Sequence, residues 1–198
     1  MTKVYIYDKS NKSFDIESLK KSLHYELIKN RNKYEQHDDL VNSLIGYNLL
    51  QKYLEEEFNI TNANVYFNEH NKPCLENIHF NISHSKNLIC VVISNYECGI
   101  DIEYIDYDKD YKDIYMKVLT QEEQDIYIAT NNKPKYFIEC FTKKEAYLKK
   151  IGTGIKLSEL KDIYILEPSY TIQDIYNNEY SLSVNTIEEY VIKKDCTI

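Results

Sequence analysis

The apolar and polar positions of the chain alternate first with the period of a strand, then with that of a helix. Lys3 to Tyr7 has a period of two, and Glu17 to Lys29 carries Leu19, Leu23, Leu27 and Ile28 at helical spacing. From Asp38, an N-cap residue type, the run DDLVNSLIGYNLLQKYLEEEF puts Leu40, Leu44, Tyr47 and Leu54 on one face. Val41, Ile45 and Leu50 widen that face, which predicts a long buried helix. NVYFN at 64–68 reads as a short strand, and NKP at 71–73 as a loop whose Lys72 is extended because a proline follows. LICVVIS, Leu88 to Ser94, is continuously apolar and rich in β-branched residues, the mark of a strand covered on both faces at the centre of a sheet. A tight turn over Asn95 to Cys98 then leads into GIDIEYI. A hairpin is therefore expected, with Ile100 and Ile102 on one face and Asp101 and Glu103 on the other.

Farther along, Thr120 followed by Glu123 three residues later has the form of a capping box opening a helix to Ile128. A second helix is expected from about Lys135 to Lys150, with Gly152 of IGTGI as its left-handed C-cap. The glycines of IGTGI lack the frame of a phosphate loop and follow a helix where such a loop precedes one, so the C-cap reading is preferred. DIYIL, YSLSV and EYVIK read as short strands. No repeat, low-complexity segment or linker interrupts the chain.

Composition changes the picture in three ways. The chain has 198 residues, 43% of them hydrophobic, and so places it among ordinary globular proteins with a sizeable core. Five scattered cysteines, Cys74, Cys90, Cys98, Cys140 and Cys196, form neither a disulfide framework nor a CxxC zinc site, and read as reduced thiols of a cytoplasmic protein. The N-terminus has no signal-peptide core, and no run approaches the ~18 apolar residues of a membrane span. The net charge of −8 argues against a nucleic-acid coat, so an anionic substrate needs a local cationic patch. Lys143, Lys144, Lys149, Lys150 and Lys156 supply one candidate, and a solvated basic helix end is the other account of them.

On a strand, Asp101 and Glu103 point to the same side with Cα atoms roughly 6.5–7 Å apart, close enough to share one hard cation. Alternating Ile-Asp-Ile-Glu is also what a half-exposed strand with its acids toward water looks like. Glu145 lies at the rim of the stripe formed by Ile138, Phe141 and Leu148, beside Thr142 and Lys149. Lys149, one turn on, is a sufficient partner for it; a third oxygen ligand beside a phosphate-binding lysine is the sharper reading. Three carboxylates suit Mg²⁺ completed by substrate phosphates. His84, between two serines at a strand end, is either a phosphate donor or a hydrogen-bonded structural histidine. Zinc on His79, His84 and Cys90 has no standard spacing and is disfavoured.

The ordered set NKPCL, FNISHS, GIDIE and FTKKEAYLKKIGTGI resembles the surfactin-synthetase-activating type of 4′-phosphopantetheinyl transferase, from about Leu40 to Ile155. The resemblance implies an α+β fold of two similar packed lobes, each a small mainly antiparallel sheet with a long helix. The lobes are expected at 1–99 and 100–198, as one compact pseudo-twofold monomer. It implies Mg²⁺-dependent transfer of the phosphopantetheine group of coenzyme A to a serine of an apo acyl or peptidyl carrier protein, releasing adenosine 3′,5′-bisphosphate. Asp101, Glu103 and Glu145 match the metal-binding acids, and Glu145, Lys149 and His84 the catalytic set. Lys72, Pro73, Ser83, His84, Lys144 and Lys149 match the coenzyme contacts. Nucleic acid and membrane are not expected partners. The chain departs from the family at Asn71, where glycine is usual, and at Asn42, where a basic residue is usual; Lys29, Arg31 and Lys33 are the candidates to replace that base. The rival readings are a Mg²⁺-dependent phosphohydrolase or nuclease, and a noncatalytic carrier-binding relative.

Overall fold

The computed structural model describes residues 1–23, 37–61, 63–154, 157–194 and 196–198. Strand β1 (Thr2–Asp8) and helix α1 (Ile16–Lys21) open the chain, α1 capped by the Asp15 carboxylate. Helix α1 ends at Lys21 with Ser22 as its C-cap, short of the Lys29 expected from the apolar spacing; Lys29, Arg31 and Lys33 lie outside the described residues. Helix α2 (His37–Phe58) is the long helix read from the apolar stripe. Asp38 is inside its first turn and not its N-cap, since the helix already runs from His37. Strands β2 (Val65–Phe67) and β3 (Pro73–Leu75) form a hairpin, followed by β4 (His79–Ser85), β5 (Leu88–Ser94) and β6 (Gly99–Tyr104).

Short helix α3 (Tyr115–Val118) precedes α4 (Gln121–Ala129), which has the Thr120/Glu123 capping box. Helix α5 (Lys133–Ile151) ends at Gly152 with φ +77°, the left-handed conformation that glycine adopts without penalty. Helix α6 (Leu157–Leu160) and strands β7 (Ser169–Gln173), β8 (Glu179–Asn185) and β9 (Tyr190–Lys193) complete the chain. DIYIL is not a strand. Its alternation survives as half-buried Ile163 and Ile165 between exposed neighbours, but no strand among the described residues pairs with it.

Two small sheets stack face to face. The first has the order β4-β5-β1-β9 and the second β6-β8-β7; all pairings are antiparallel except β1 with β9. Helix α2 covers the outer face of the first sheet, with Leu44, Ile45, Leu49 and Leu50 packed on Tyr5, Phe80, Ile89 and Val91. The inner faces meet through Val4, Ile6, Cys90 and Val92 from one sheet and Ile100, Ile102, Leu182 and Val184 from the other. Each such buried side chain contributes roughly 1.5–3 kcal/mol. Helix α5 covers the outer face of the second sheet through a polar layer in which Thr142 Oγ1 meets Ser181 Oγ at 2.9 Å and Ser183 Oγ at 3.0 Å. Among the described residues no helix is long and apolar enough to cross a membrane.

The expected β5–β6 hairpin does not form. The two strands sit in different sheets, and the ladder partner of β6 is β8, with Asp101 opposite Ser183 and Glu103 opposite Ser181. The other edge of β6 faces β4 without a backbone ladder. Side chains of β4 take its N–H groups at every second residue: Ile100 donates to Asn81 Oδ1 (3.0 Å), Ile102 to Ser83 Oγ (3.3 Å) and Tyr104 to Ser85 Oγ (3.0 Å). A buried N–H without a partner costs about as much as a lost hydrogen bond, so these side chains are what allow two sheet edges to meet.

Candidate active site

The β4–β6 seam is where the chemistry gathers. Odd-numbered residues of β4 face β6, and even-numbered ones face α2, because side chains alternate along a strand. Ser83 therefore lies against Asp101, and Ser85 against Glu103; each hydroxyl donates to its acid at 2.9 Å. From the opposite side, α5 brings in Glu145 and Lys149. This approach depends on Gly99, whose added Cβ would stand 2.0 Å from the Ala146 carbonyl oxygen and 2.5 Å from the Lys150 nitrogen. Gly46 does the same for α2, where a Cβ would lie 2.6 Å from Ile82 Cγ2.

Asp101 is 1% exposed, not turned to water. Its Oδ1 accepts from Ser83 and, at 2.5 Å, from the Lys149 ammonium, which also donates to Ser83 Oγ at 3.0 Å. Ser83 Oγ thus uses its one proton and both lone pairs. Burial and then the Asp101 charge push the Glu103 and Glu145 carboxyls up to about 7. Burial pulls the Lys149 ammonium down, but Asp101, Glu145 and Glu103 outweigh it and hold the group above its ordinary value. Three acids thus face one cation.

Asp101 Oδ2 is buried and has no hydrogen-bond partner among the described residues. An orphan carboxylate oxygen beside two acids raised toward neutrality fits a hard divalent cation. Among the described residues no group of three or more His, Cys, Asp or Glu side chains is arranged to hold a metal ion as it stands, and Lys149 occupies Asp101 Oδ1.

The remaining site candidates divide. Lys72 and Pro73 share with Lys149, Asn81 and Gly152 a hollow of about 220 Å³. The Lys72 ammonium donates to the Lys150 carbonyl at 2.8 Å, capping the negative end of α5, and burial lowers it from its ordinary value. Asn71 holds the turn at φ +61°, a left-handed conformation that asparagine tolerates after glycine best, so the departure at this position leaves the loop intact. His84 faces α2, with Nδ1 3.4 Å from Asn42 Nδ2. Burial and the Lys149 and Lys9 charges keep it below its ordinary value against the pull of Asp39 and Asp101.

Lys144 does not join the site. It is 0% exposed on the other flank of α5, and its ammonium donates to Val118 O at 2.6 Å and to Glu123 Oε2. The expected lysine cluster is likewise dispersed: Lys150 donates to Asn185 Oδ1 at 3.0 Å, and Lys156 lies outside the described residues. Sequence reasoning missed Asn81 and Ser85, whose signal was the period of two shared with Ser83.

A family model described as the 4′-phosphopantetheinyl transferase superfamily matches residues 97–193. The chain is 39% identical over 132 residues to the 4′-phosphopantetheinyl transferase gsp of Aneurinibacillus migulanus, covering 62% of this chain and 53% of that protein. It is 24% identical over 132 residues to the 4′-phosphopantetheinyl transferase Sfp of Bacillus subtilis (strain 168), covering 63% and 58%. It is 27% identical over 108 residues to the holo-[acyl-carrier-protein] synthase of Oceanobacillus iheyensis, covering 48% of this chain and 91% of that protein. The chain spans little more than half the length of the two named transferases. Asp101, Glu103, Glu145 and Lys149 all fall inside the segment, 97–193, that matches the 4′-phosphopantetheinyl transferase superfamily.

Proposed function

We propose that the chain transfers the 4′-phosphopantetheine group of coenzyme A to a serine hydroxyl of an apo acyl or peptidyl carrier protein. The observation that carries this reading is the meeting of three carboxylates, one orphan carboxylate oxygen and the Lys149 ammonium at a seam bordered by a hollow that Lys72 and Pro73 line. In the reaction the serine oxygen forms a bond to the β-phosphorus of coenzyme A as the bridging P–O bond breaks. Adenosine 3′,5′-bisphosphate leaves with that electron pair.

Lys149 holds the pyrophosphate through its charge, a role supported by Ser83, which fixes the direction of that ammonium. Glu145, which shares the seam with Lys149, is the group offered to take the serine proton. Asp101, Glu103 and Glu145 would hold Mg²⁺, which when bound supplies neutralisation of the phosphate charge. His84, on the α2 side of β4, donates to a coenzyme phosphate.

Intact mass of an apo carrier after incubation with coenzyme A and Mg²⁺ tests the reading. The chain should add one phosphopantetheine, and Asp101→Asn should slow the addition roughly 10²–10³-fold, the scale seen when one preorganised electrostatic group is removed. Nucleotide breakdown without an adduct would replace the proposal with a phosphohydrolase, and carrier binding with neither product would replace it with a noncatalytic relative.

A further inference from the structure

Resting on that transfer reading, we propose that Lys9 supplies the cation that binds the phosphate on the ribose of coenzyme A, in place of a basic residue at position 42. Asn42 is a neutral amide, 5% exposed, on the face of α2 turned to β4. The Lys9 side chain, from the end of β1, reaches it with Nζ 2.6 Å from Asn42 Oδ1. Strand and helix thus bring an ammonium to the place where the helix itself provides none.

The hydrogen-bond inventory orients the group. A lysine ammonium only donates, so Asn42 must turn its oxygen to Lys9 and its NH₂ to His84. His84 Nδ1 is then the acceptor, and the ring proton of the neutral imidazole sits on Nε2 as a donor for an incoming anion. Lys9 spends one of its three protons on Asn42, and among the described residues it has no carboxylate partner.

A hollow of about 360 Å³ opens beside it, lined by Lys9, Lys12, Ser10 and Tyr176 among others, with Asp38 as its one carboxylate. Ser10 is 7% exposed, and its hydroxyl has no hydrogen-bond partner among the described residues, so a buried donor stands unsatisfied next to the residue that carries the ammonium. Buried hydroxyls normally find partners, and a phosphate oxygen is one such partner.

Which phosphate follows from strand geometry. Ser83 and His84 are consecutive on β4, so they point to opposite sides: Ser83 to Lys149 and Asp101, His84 to Asn42. An anion held by Lys9 and His84 is therefore not the one held by Lys149. Coenzyme A carries one pyrophosphate and one phosphate monoester, and with the pyrophosphate on Lys149 the monoester at the ribose 3′ position remains for Lys9.

The test compares coenzyme A with 3′-dephospho-coenzyme A, by calorimetric titration into the full chain and as substrates for carrier loading. Lys9→Gln keeps a donor for Asn42 and removes the charge; Lys9→Ala removes both. Both variants should bind coenzyme A roughly 10–100-fold more weakly, the scale of a charge-assisted hydrogen bond, with 3′-dephospho-coenzyme A changed less than about twofold. In loading assays KM for coenzyme A should rise and kcat stay near wild type. Should Lys9→Ala melt early, Lys9→Gln decides. Equal losses for the two compounds, or none for either, would overturn the role of Lys9 while leaving a wild-type chain that loads carriers. A wild-type chain that binds neither compound would sink the transfer reading and this inference with it.

Discussion

Replacing Lys144 separates a structural lysine from a coenzyme contact, because the resemblance assigns it to the coenzyme and the fold buries it. Its ammonium serves Val118 O and Glu123 Oε2, and the side chains of Lys144 and Glu123 are 0% and 7% exposed. Lys144→Met leaves the Glu123 carboxylate buried with only the Thr120 N–H, at 2.8 Å, to hold it. Breaking a buried pair by removing one partner costs about 3–5 kcal/mol, and the lost donor to Val118 O falls within that range. Against a total stability of about 5–15 kcal/mol this is a large share. In Lys144→Met with Glu123→Gln, the amide oxygen still accepts from Thr120 and no unpaired charge is buried. The double variant should therefore recover to within about 1–2 kcal/mol of wild type. Urea unfolding followed by far-UV circular dichroism measures each, and coenzyme A titration at a temperature where all are folded should give the wild-type affinity. A single variant costing under about 1 kcal/mol, a double variant worse than the single, or a folded Lys144→Met that binds coenzyme A tenfold more weakly would each refute the placement.

Gly99→Ala should lower stability by roughly 1–3 kcal/mol in calorimetric melting, because the new Cβ meets the α5 backbone at 2.0 and 2.5 Å and the whole helix must shift. Gly46→Ala should cost less, since the atom it meets belongs to the Ile82 side chain. The Glu103 and Glu145 carboxyls, raised from 4.5 to about 7, bind protons in the folded chain that the unfolded chain has released. Their stabilisation is therefore full below pH 4.5 and is lost as pH rises through 7. Glu57, lowered to about 2, is ionised in both states across that window and does not oppose the trend, whereas His84, lowered from 6.5, opposes it only at the acid end of the interval, with one group against two. Without divalent ions the melting temperature should fall by roughly 4–8 °C from pH 6 to pH 8, and MgCl₂ should raise it more at pH 8 than at pH 6. A melting temperature that climbs over this interval would contradict the carboxylate cluster.

Much of this was legible in the chain because it rests on local rules. The α2 stripe, the fully covered β5, the Thr120 capping box and the Gly152 cap follow from periodicity and end chemistry alone, and each stands where the pattern puts it. What failed depended on partners distant in sequence. Alternation in GIDIE correctly separates Ile100 and Ile102 from the acids, but it cannot say that the ladder partner is β8, some eighty residues on, and not β5 next door. Ser169–Gln173 was missed and DIYIL misassigned for the same reason: a strand needs an open edge, and only the fold decides which segment finds one. Lys144 sits beside Glu145 in sequence, yet one turns to the Glu123 capping box and the other to Asp101, a division made by which elements flank α5.

FNISHS shows how a short motif carries chemistry on both of its faces. An edge strand with apolar residues at Asn81, Ser83 and Ser85 would pack on β6 but leave three buried N–H groups of that strand without acceptors, at about 1–3 kcal/mol each. Asparagine and serine are short enough to reach the neighbouring backbone, and each serine has a proton left for the acid of the same β6 face. The requirement that joins the sheets thus also aims Asp101 and Glu103 at α5. The alternate positions are free of that requirement, so Phe80 and Ile82 fill the α2 core and His84 meets Asn42. One strand therefore organises two polar sites on opposite sides without a residue serving both, which is why the anion contacts proposed for Lys149 and Lys9 can be assayed separately.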